Sequence, residues 1–247
     1  MHQTQHSSDV EFMQRALRLA QSVRGHVWPN PPVGCVIVKD NSIIAEAATH
    51  PGGRPHAERK ALDIAGDAAH GSTLYVTLEP CCHWGKTPPC ADGIIEAGVA
   101  RVVCSIQDPD PRVNGGGFAK LKNAGLELSV GAGKDQAEAL LSGFFNRIRL
   151  GVPELVAYNC LPQDIPDGVD AVLSYSQDGW TLVSRTSKFA QLPKSADSVM
   201  RWMGQLGLTT VALSKDDPLW RQDVVSQRHT SYLKGSASDT SPLGIEI

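Results

Sequence analysis

Between residues 33 and 149 short apolar runs alternate with amphipathic stretches, and this alternation restricts the fold more than any other feature of the chain. Two runs, 33–38 (VGCVIV) and 42–48 (SIIAEAA), flank Lys39-Asp40-Asn41 and read as a hairpin. A helix over about 56–65, a strand at 73–78 and a helix over about 88–97 come next. A strand at 101–106, a helix near 116–124, a strand at 126–130 and a helix over about 134–149 complete the pattern. An earlier helix, 9–24, places Phe12, Met13, Ala16, Leu17, Ala20 and Val23 on one face, with Asp9 as its expected cap. Strands joined through helices favour parallel pairing and need cover on both faces. The expectation is therefore an α/β fold with a mixed, mainly parallel sheet between helical layers.

The alternation weakens after Gly151-Val152-Pro153. Strand-like pieces recur at 154–159, 169–175, 180–185 and 208–213, with one amphipathic helix at 196–206. Residues 226–243 are rich in Ser, Thr and Gly, the composition of a flexible segment. We expect a domain over 8–150, a smaller α/β part over 151–225 and a tail over 226–247. Trp180, Trp202 and Trp220 are expected to be core or interface residues.

Composition narrows the chemistry. A formal net charge of -3 and no dense Lys/Arg cluster give no footprint for a nucleic-acid backbone. Aromatics at 6% are too few for a base-stacking groove. No apolar run approaches the ~18 residues of a membrane span, and the first residues lack a secretory pattern, so a cytoplasmic protein is expected. In a reducing compartment, clustered Cys and His point to metal or catalysis rather than to disulfides. Cys35 and Cys104 lie in strand-like runs and read as buried hydrophobes; Cys81, Cys82 and Cys90 lie in a Pro-rich turn region.

There the chain carries His56-Ala57-Glu58, then Glu79-Pro80-Cys81 and Thr87-Pro88-Pro89-Cys90. A catalytic zinc site takes three protein ligands and leaves a position for water. His56, Cys81 and Cys90 supply that set. Hydrolysis by a zinc-activated water also needs a carboxylate that carries protons, a role open to Glu58. Because i and i+2 diverge within a helix, His56 must stand at the very start of its helix. Pro55 suits that start, and Pro88-Pro89 put Cys90 in a first turn, where the helix dipole favours a thiolate. Cys82 or His83 could instead close a structural four-ligand site, which would leave Glu58 without a task.

The pattern His-x-Glu with Pro-Cys and a second Cys is that of zinc deaminases, although eight residues separate the cysteines here instead of two. That insertion, together with Pro29-Asn30-Pro31-Pro32-Val33-Gly34-Cys35 and Asp108-Pro109-Asp110-Pro111, resembles the deaminase half of the bacterial riboflavin-biosynthesis deaminase/reductase over about 10–150. The resemblance implies a cytidine-deaminase-like three-layer fold, Zn2+ as cofactor and a homo-oligomer, a dimer or tetramer. It implies a small pyrimidine ribotide as substrate, 2,5-diamino-6-(5-phosphoribosylamino)pyrimidin-4(3H)-one, and the same chemistry would also serve a specialised, azapteridine-type pathway. It makes His56, Cys81 and Cys90 zinc ligands, Glu58 the proton carrier, Asn30 a pyrimidine contact, Ala57 a substrate-binding residue, His83 and Lys86 phosphate contacts and Asp108 a ribose contact. Three positions depart from the family pattern: Asp110 replaces Asn, Thr49 replaces His, and Cys82 replaces Ser. The 97 residues beyond 150 show no Gly-rich phosphate loop, and Ser176-Gln177-Asp178-Gly179 only echoes a reductase segment. They read as a shortened, non-reductive remnant.

Overall fold

The computed structural model describes residues 2–158, 165–176, 179–184, 188–189, 196–214, 230–232 and 243–244. Contacts divide the chain into two units: 1–23 with 32–141, and 24–31 with 142–247. The division falls inside one helix, between Leu141 and Ser142, and gives residues 24–31 to the second unit.

The first unit is built on a five-stranded sheet of order β2-β1-β3-β4-β5, with β1 (Gly34–Lys39), β2 (Ser42–Ala48), β3 (Thr73–Val76), β4 (Arg101–Cys104) and β5 (Glu127–Val130). β1 pairs antiparallel with β2 and β3, whereas β3–β4 and β4–β5 are parallel, so the sheet is mixed. At the hairpin, Asp40 (φ 50) and Asn41 (φ 59) both take positive φ, as a two-residue turn matched to strand twist requires. α1 (His2–Ser22) covers one face: Met13, Ala16 and Leu17 pack with Val36, Val38, Tyr75 and Val103, and Ala137 of α5 (Lys134–Leu150) joins them. A Cβ on Gly34 would collide with the Ala16 carbonyl, so only glycine permits this approach. α2 (Ala57–Ala65), a 3-10 turn (Gly66–Ala69), α3 (Cys90–Glu96) and α4 (Gly116–Asn123) complete the unit.

Asp9 is not a cap. It lies in the second turn of α1, 7% exposed, and accepts from both Arg101 Nη atoms at 2.8 Å and from Tyr75 Oη at 2.9 Å. The carboxylate that the sequence offers as a cap is instead buried in a bidentate, charge-assisted pair with this guanidinium.

Among the described residues of the second unit, seven strands form a sheet of order β12-β11-β6-β10-β7-β8-β9. Its strands are β6 (Glu154–Tyr158), β7 (Ala171–Ser176), β8 (Gly179–Ser184), β9 (Lys188–Phe189), β10 (Thr210–Ser214), β11 (Thr230–Tyr232) and β12 (Leu243–Gly244). α6 (Ala196–Gln205) supplies Val199, Met200 and Met203 to a core with Leu155, Leu173, Leu182 and Leu213. Trp180 and Trp202 pack against that core, while Trp220 lies outside the described residues. Of the expected tail, 230–232 and 243–244 form strands; the remainder of 226–247 lies outside the described residues, as do Gln177 and Asp178.

Candidate active site

Two helix starts and one turn bring the chemistry together. His56 is the N-cap of α2, with extended backbone (φ -66, ψ 159), and Pro55 stands one residue before the cap. This resolves the His-x-Glu geometry: a cap residue leaves the helix, so His56 and Glu58 can face one space. Cys90 is the first residue of α3 after the N-cap Pro89, and Cys81 follows β3 in the turn Glu79-Pro80-Cys81. The donor atoms of His56, Cys81 and Cys90 lie within 4.8 Å of one another. His56 Nδ1 is 3.4 Å from Cys90 Sγ and 3.7 Å from Cys81 Sγ. Tetrahedral zinc, with bonds of about 2.3 Å to sulfur and about 2.0 Å to nitrogen, needs N···S separations of about 3.6 Å. The three residues fit such an ion.

Neither candidate for a fourth protein ligand joins the group formed by His56, Cys81 and Cys90. Cys82 Sγ donates to the Arg112 carbonyl at 3.6 Å, and His83 Nδ1 is buried with no hydrogen-bond partner among the described residues. The donor set therefore has the three-ligand form that keeps a coordination position open.

The thiolate is favoured at Cys81, not at Cys90 as the helix position suggests. Cys90 N–H, the first free donor of α3, points along the helix axis to Cys81 Sγ at 3.3 Å, and Ala91 N–H donates to the Cys81 carbonyl. The Cys90 thiol, followed by the His56 hydrogen bond and working against burial, brings Cys81 down to about 4. Its own donation to Cys81, then burial, pushes Cys90 up. The hydrogen bond to Cys81 also raises His56. A dication binding here must displace these protons, so its affinity rises with pH.

Glu58, 4% exposed in the first turn of α2, is raised above the ordinary carboxylate range by burial. Below it Cys35, Val76 and Cys104 lie side by side in register across β1, β3 and β4. Both thiols are fully buried and are pushed up by burial, with the Glu58 charge contributing. Burial against this floor disfavours the charged form of the Glu58 carboxyl group.

Asp108 is 7% exposed, and its Oδ1 accepts from Asp110 N–H. Asp110, the departure from Asn, is also buried, and its charge is met by Arg112 instead of by solvent, with Nη2 at 2.5 Å and Nε at 3.0 Å. Thr49, in place of His, ties the loop to Val33 through Oγ1. Ala57 is fully buried, His83 is half-buried, and Lys86 is exposed beside Trp84 on the inserted loop. Arg54, which the sequence did not single out, donates to Thr87 Oγ1 across that loop. Asn30 belongs to the second unit and is half-buried, its N–H bonded to the Val27 carbonyl.

The fold and its His/Cys/Cys centre define a zinc-binding deaminase domain: residues 6–106 match the cytidine and deoxycytidylate deaminase zinc-binding region. The chain belongs to the riboflavin-biosynthesis pyrimidine deaminase family. It is 44% identical over 146 residues to a diaminohydroxyphosphoribosylamino-pyrimidine deaminase of Buchnera aphidicola, covering 59% of this chain and 99% of that protein. It is 43% identical over 216 residues to riboflavin biosynthesis protein RibD of Haemophilus influenzae, covering 86% of this chain and 54% of the relative. The chain spans about half the length of the curated RibD relatives it matches. A Thermotoga maritima structure titled diaminohydroxyphosphoribosylaminopyrimidine deaminase/5-amino-6-(5-phosphoribosylamino)uracil reductase superposes with TM-score 0.74 at 27% identity, covering 93% of this chain and 87% of that one. Among the described residues no helix is long and apolar enough to cross a membrane.

Proposed function

We propose that the chain hydrolyses 2,5-diamino-6-(5-phosphoribosylamino)pyrimidin-4(3H)-one, with water, to the 5-amino-6-ribosylamino-uracil phosphate and ammonia. The convergence of His56 Nδ1, Cys81 Sγ and Cys90 Sγ beside a buried Glu58 carries this reading. Zinc bound by these three ligands supplies a Lewis acid that brings the pKa of water to about 7. Glu58 takes the first water proton at a carboxylate oxygen and passes it to the ring nitrogen beside the amine, then carries the second proton, from the added hydroxyl, to the departing amine as the C–N bond breaks and ammonia leaves. The Cys35-Val76-Cys104 floor keeps bulk water from these protons. Asp108, His83 and Lys86 orient the sugar and phosphate, Asn30 takes the pyrimidine, and Ala57 belongs to the substrate-binding set. The substrate is a small ribotide and not a nucleic acid, the chain self-associates in the cytoplasm, and the second unit serves packing or assembly without reduction.

Ammonia release from this pyrimidine, followed with and without NADPH, tests the proposal. Glu58→Gln is expected to keep one zinc per chain and lose turnover by about 10²–10⁴-fold. Undiminished turnover in the Glu58→Gln variant, or a parent chain that releases no ammonia, would remove the proposal.

A further inference from the structure

Glu79 is 3% exposed, lies two residues before a ligand candidate and has no part in the chemistry above. A buried carboxyl group is costly unless its oxygens find donors. Oε2 accepts from Asp108 N–H at 3.1 Å and Gly115 N–H at 3.0 Å, and Oε1 accepts from Phe118 N–H at 3.1 Å. Gly115 is the N-cap of α4 and offers it no side-chain cap, so Glu79 satisfies the start of a helix to which it does not belong. Gly117 makes the approach possible: a Cβ there would collide with the Pro80 carbonyl and crowd the Glu79 carboxyl. Two residues on, Cys81 serves α3 in the same way, its sulfur accepting from Cys90 N–H and its carbonyl from Ala91 N–H. One three-residue turn thus caps two helices. Its acidic end also grips the backbone of Asp108, the proposed ribose contact.

We propose that Glu79 is a positioning residue for deamination, its buried carboxyl group fixing the Cys81 turn to the Asp108 loop and to the start of α4. The proposal rests on the deaminase reading and gives it the part that aligns metal and sugar. Partners outside the ligand shell typically govern 10–100-fold in metal affinity or activity, because small displacements of reacting groups are amplified. Glutamine has nearly the shape of Glu79 but only one acceptor oxygen. With that oxygen toward Asp108 and Gly115, its amide N–H atoms face the Phe118 N–H, donor against donor. Alanine removes all three bonds.

The test uses the zinc-loaded full chain at a temperature where circular dichroism shows each variant folded. For Glu79→Gln, kcat/KM is expected to fall about 10–100-fold. Amide hydrogen exchange should accelerate at Phe118 and Gly115 while Val102 and Val103 in β4 remain protected. Glu79→Ala should be worse in both and add Asp108. Wild-type kcat/KM and exchange in Glu79→Gln would overturn the proposal. A lowered melting temperature with kcat and KM intact would also overturn it, since that is what a purely structural group gives. If the parent chain releases no ammonia, the deaminase reading fails by itself, while cobalt loaded in place of zinc and the exchange data still decide the positioning. An unaltered cobalt–thiolate absorption band with unaltered exchange in Glu79→Gln would count against it.

Discussion

Asp108 shows how far burial moves a single group. Burial, opposed by the Asp110 N–H bond and reinforced by the Asp110, Glu79 and Cys81 charges, pushes its carboxyl up to about 7. An unfolded Asp titrates at about 3.9, so between these values the folded chain holds a proton that the unfolded chain has lost. The stability tied to that proton is fully present below about pH 4 and is lost as pH rises through about 7. Asp108→Asn retains an Oδ1 acceptor for Asp110 N–H. Its stability relative to the parent should therefore rise by roughly 2–4 kcal/mol from pH 4 to pH 8, read by urea unfolding. Equal differences at both pH values would show that Asp108 is not held in this way. Asp110 behaves oppositely, because the Arg112 guanidinium lowers it and its stabilisation is lost as pH falls.

Helix ends, more than helix interiors, build the site. Cys81 is both ligand candidate and cap of α3, and two substitutions separate the roles. Cys81→Ala and Cys81→Ser should both lose zinc, measured by elemental analysis. With metal chelated, the Ser variant should exceed the Ala variant by about 1 kcal/mol, because a hydroxyl still accepts from Cys90 N–H. α1 is fastened to the sheet by the Asp9–Arg101 pair, whose side chains are 10% and 11% exposed. Asp9→Ala leaves that guanidinium buried with its main partner gone and should cost about 3–5 kcal/mol in denaturant unfolding, whereas Glu127, 65% exposed on the same Arg, should cost well under 1. The sequence displayed the helix and its apolar stripe. It did not display this pairing, because Asp9 and Arg101 are 92 positions apart and only the packing of α1 across β3 and β4 joins them.

For the whole molecule, the likeness to a deaminase/reductase structure extends over 93% of the chain, and among the described residues the second unit has a seven-stranded sheet of its own. We expect ammonia release without NADPH oxidation; oxidation of NADPH in the presence of the deaminated product would assign reduction to that unit. Chelation should lower the melting temperature, and zinc at 100 times its dissociation constant should restore about 2.7 kcal/mol. The primary sequence was sufficient to single out His56, Cys81 and Cys90 as a group, the His-x-Glu spacing that forces His56 to a helix start, and the strand–helix alternation, since these depend on residue type and local periodicity. It also placed Cys35 and Cys104 in the core. Only the tertiary structure decided that Cys81 and not Cys90 takes the helix N–H, that Arg112 neutralises Asp110, and that Glu79 receives donors 29, 36 and 39 positions away. Those outcomes depend on where the sheet sets down the ends of separate loops, and a buried polar atom takes whichever donor arrives there.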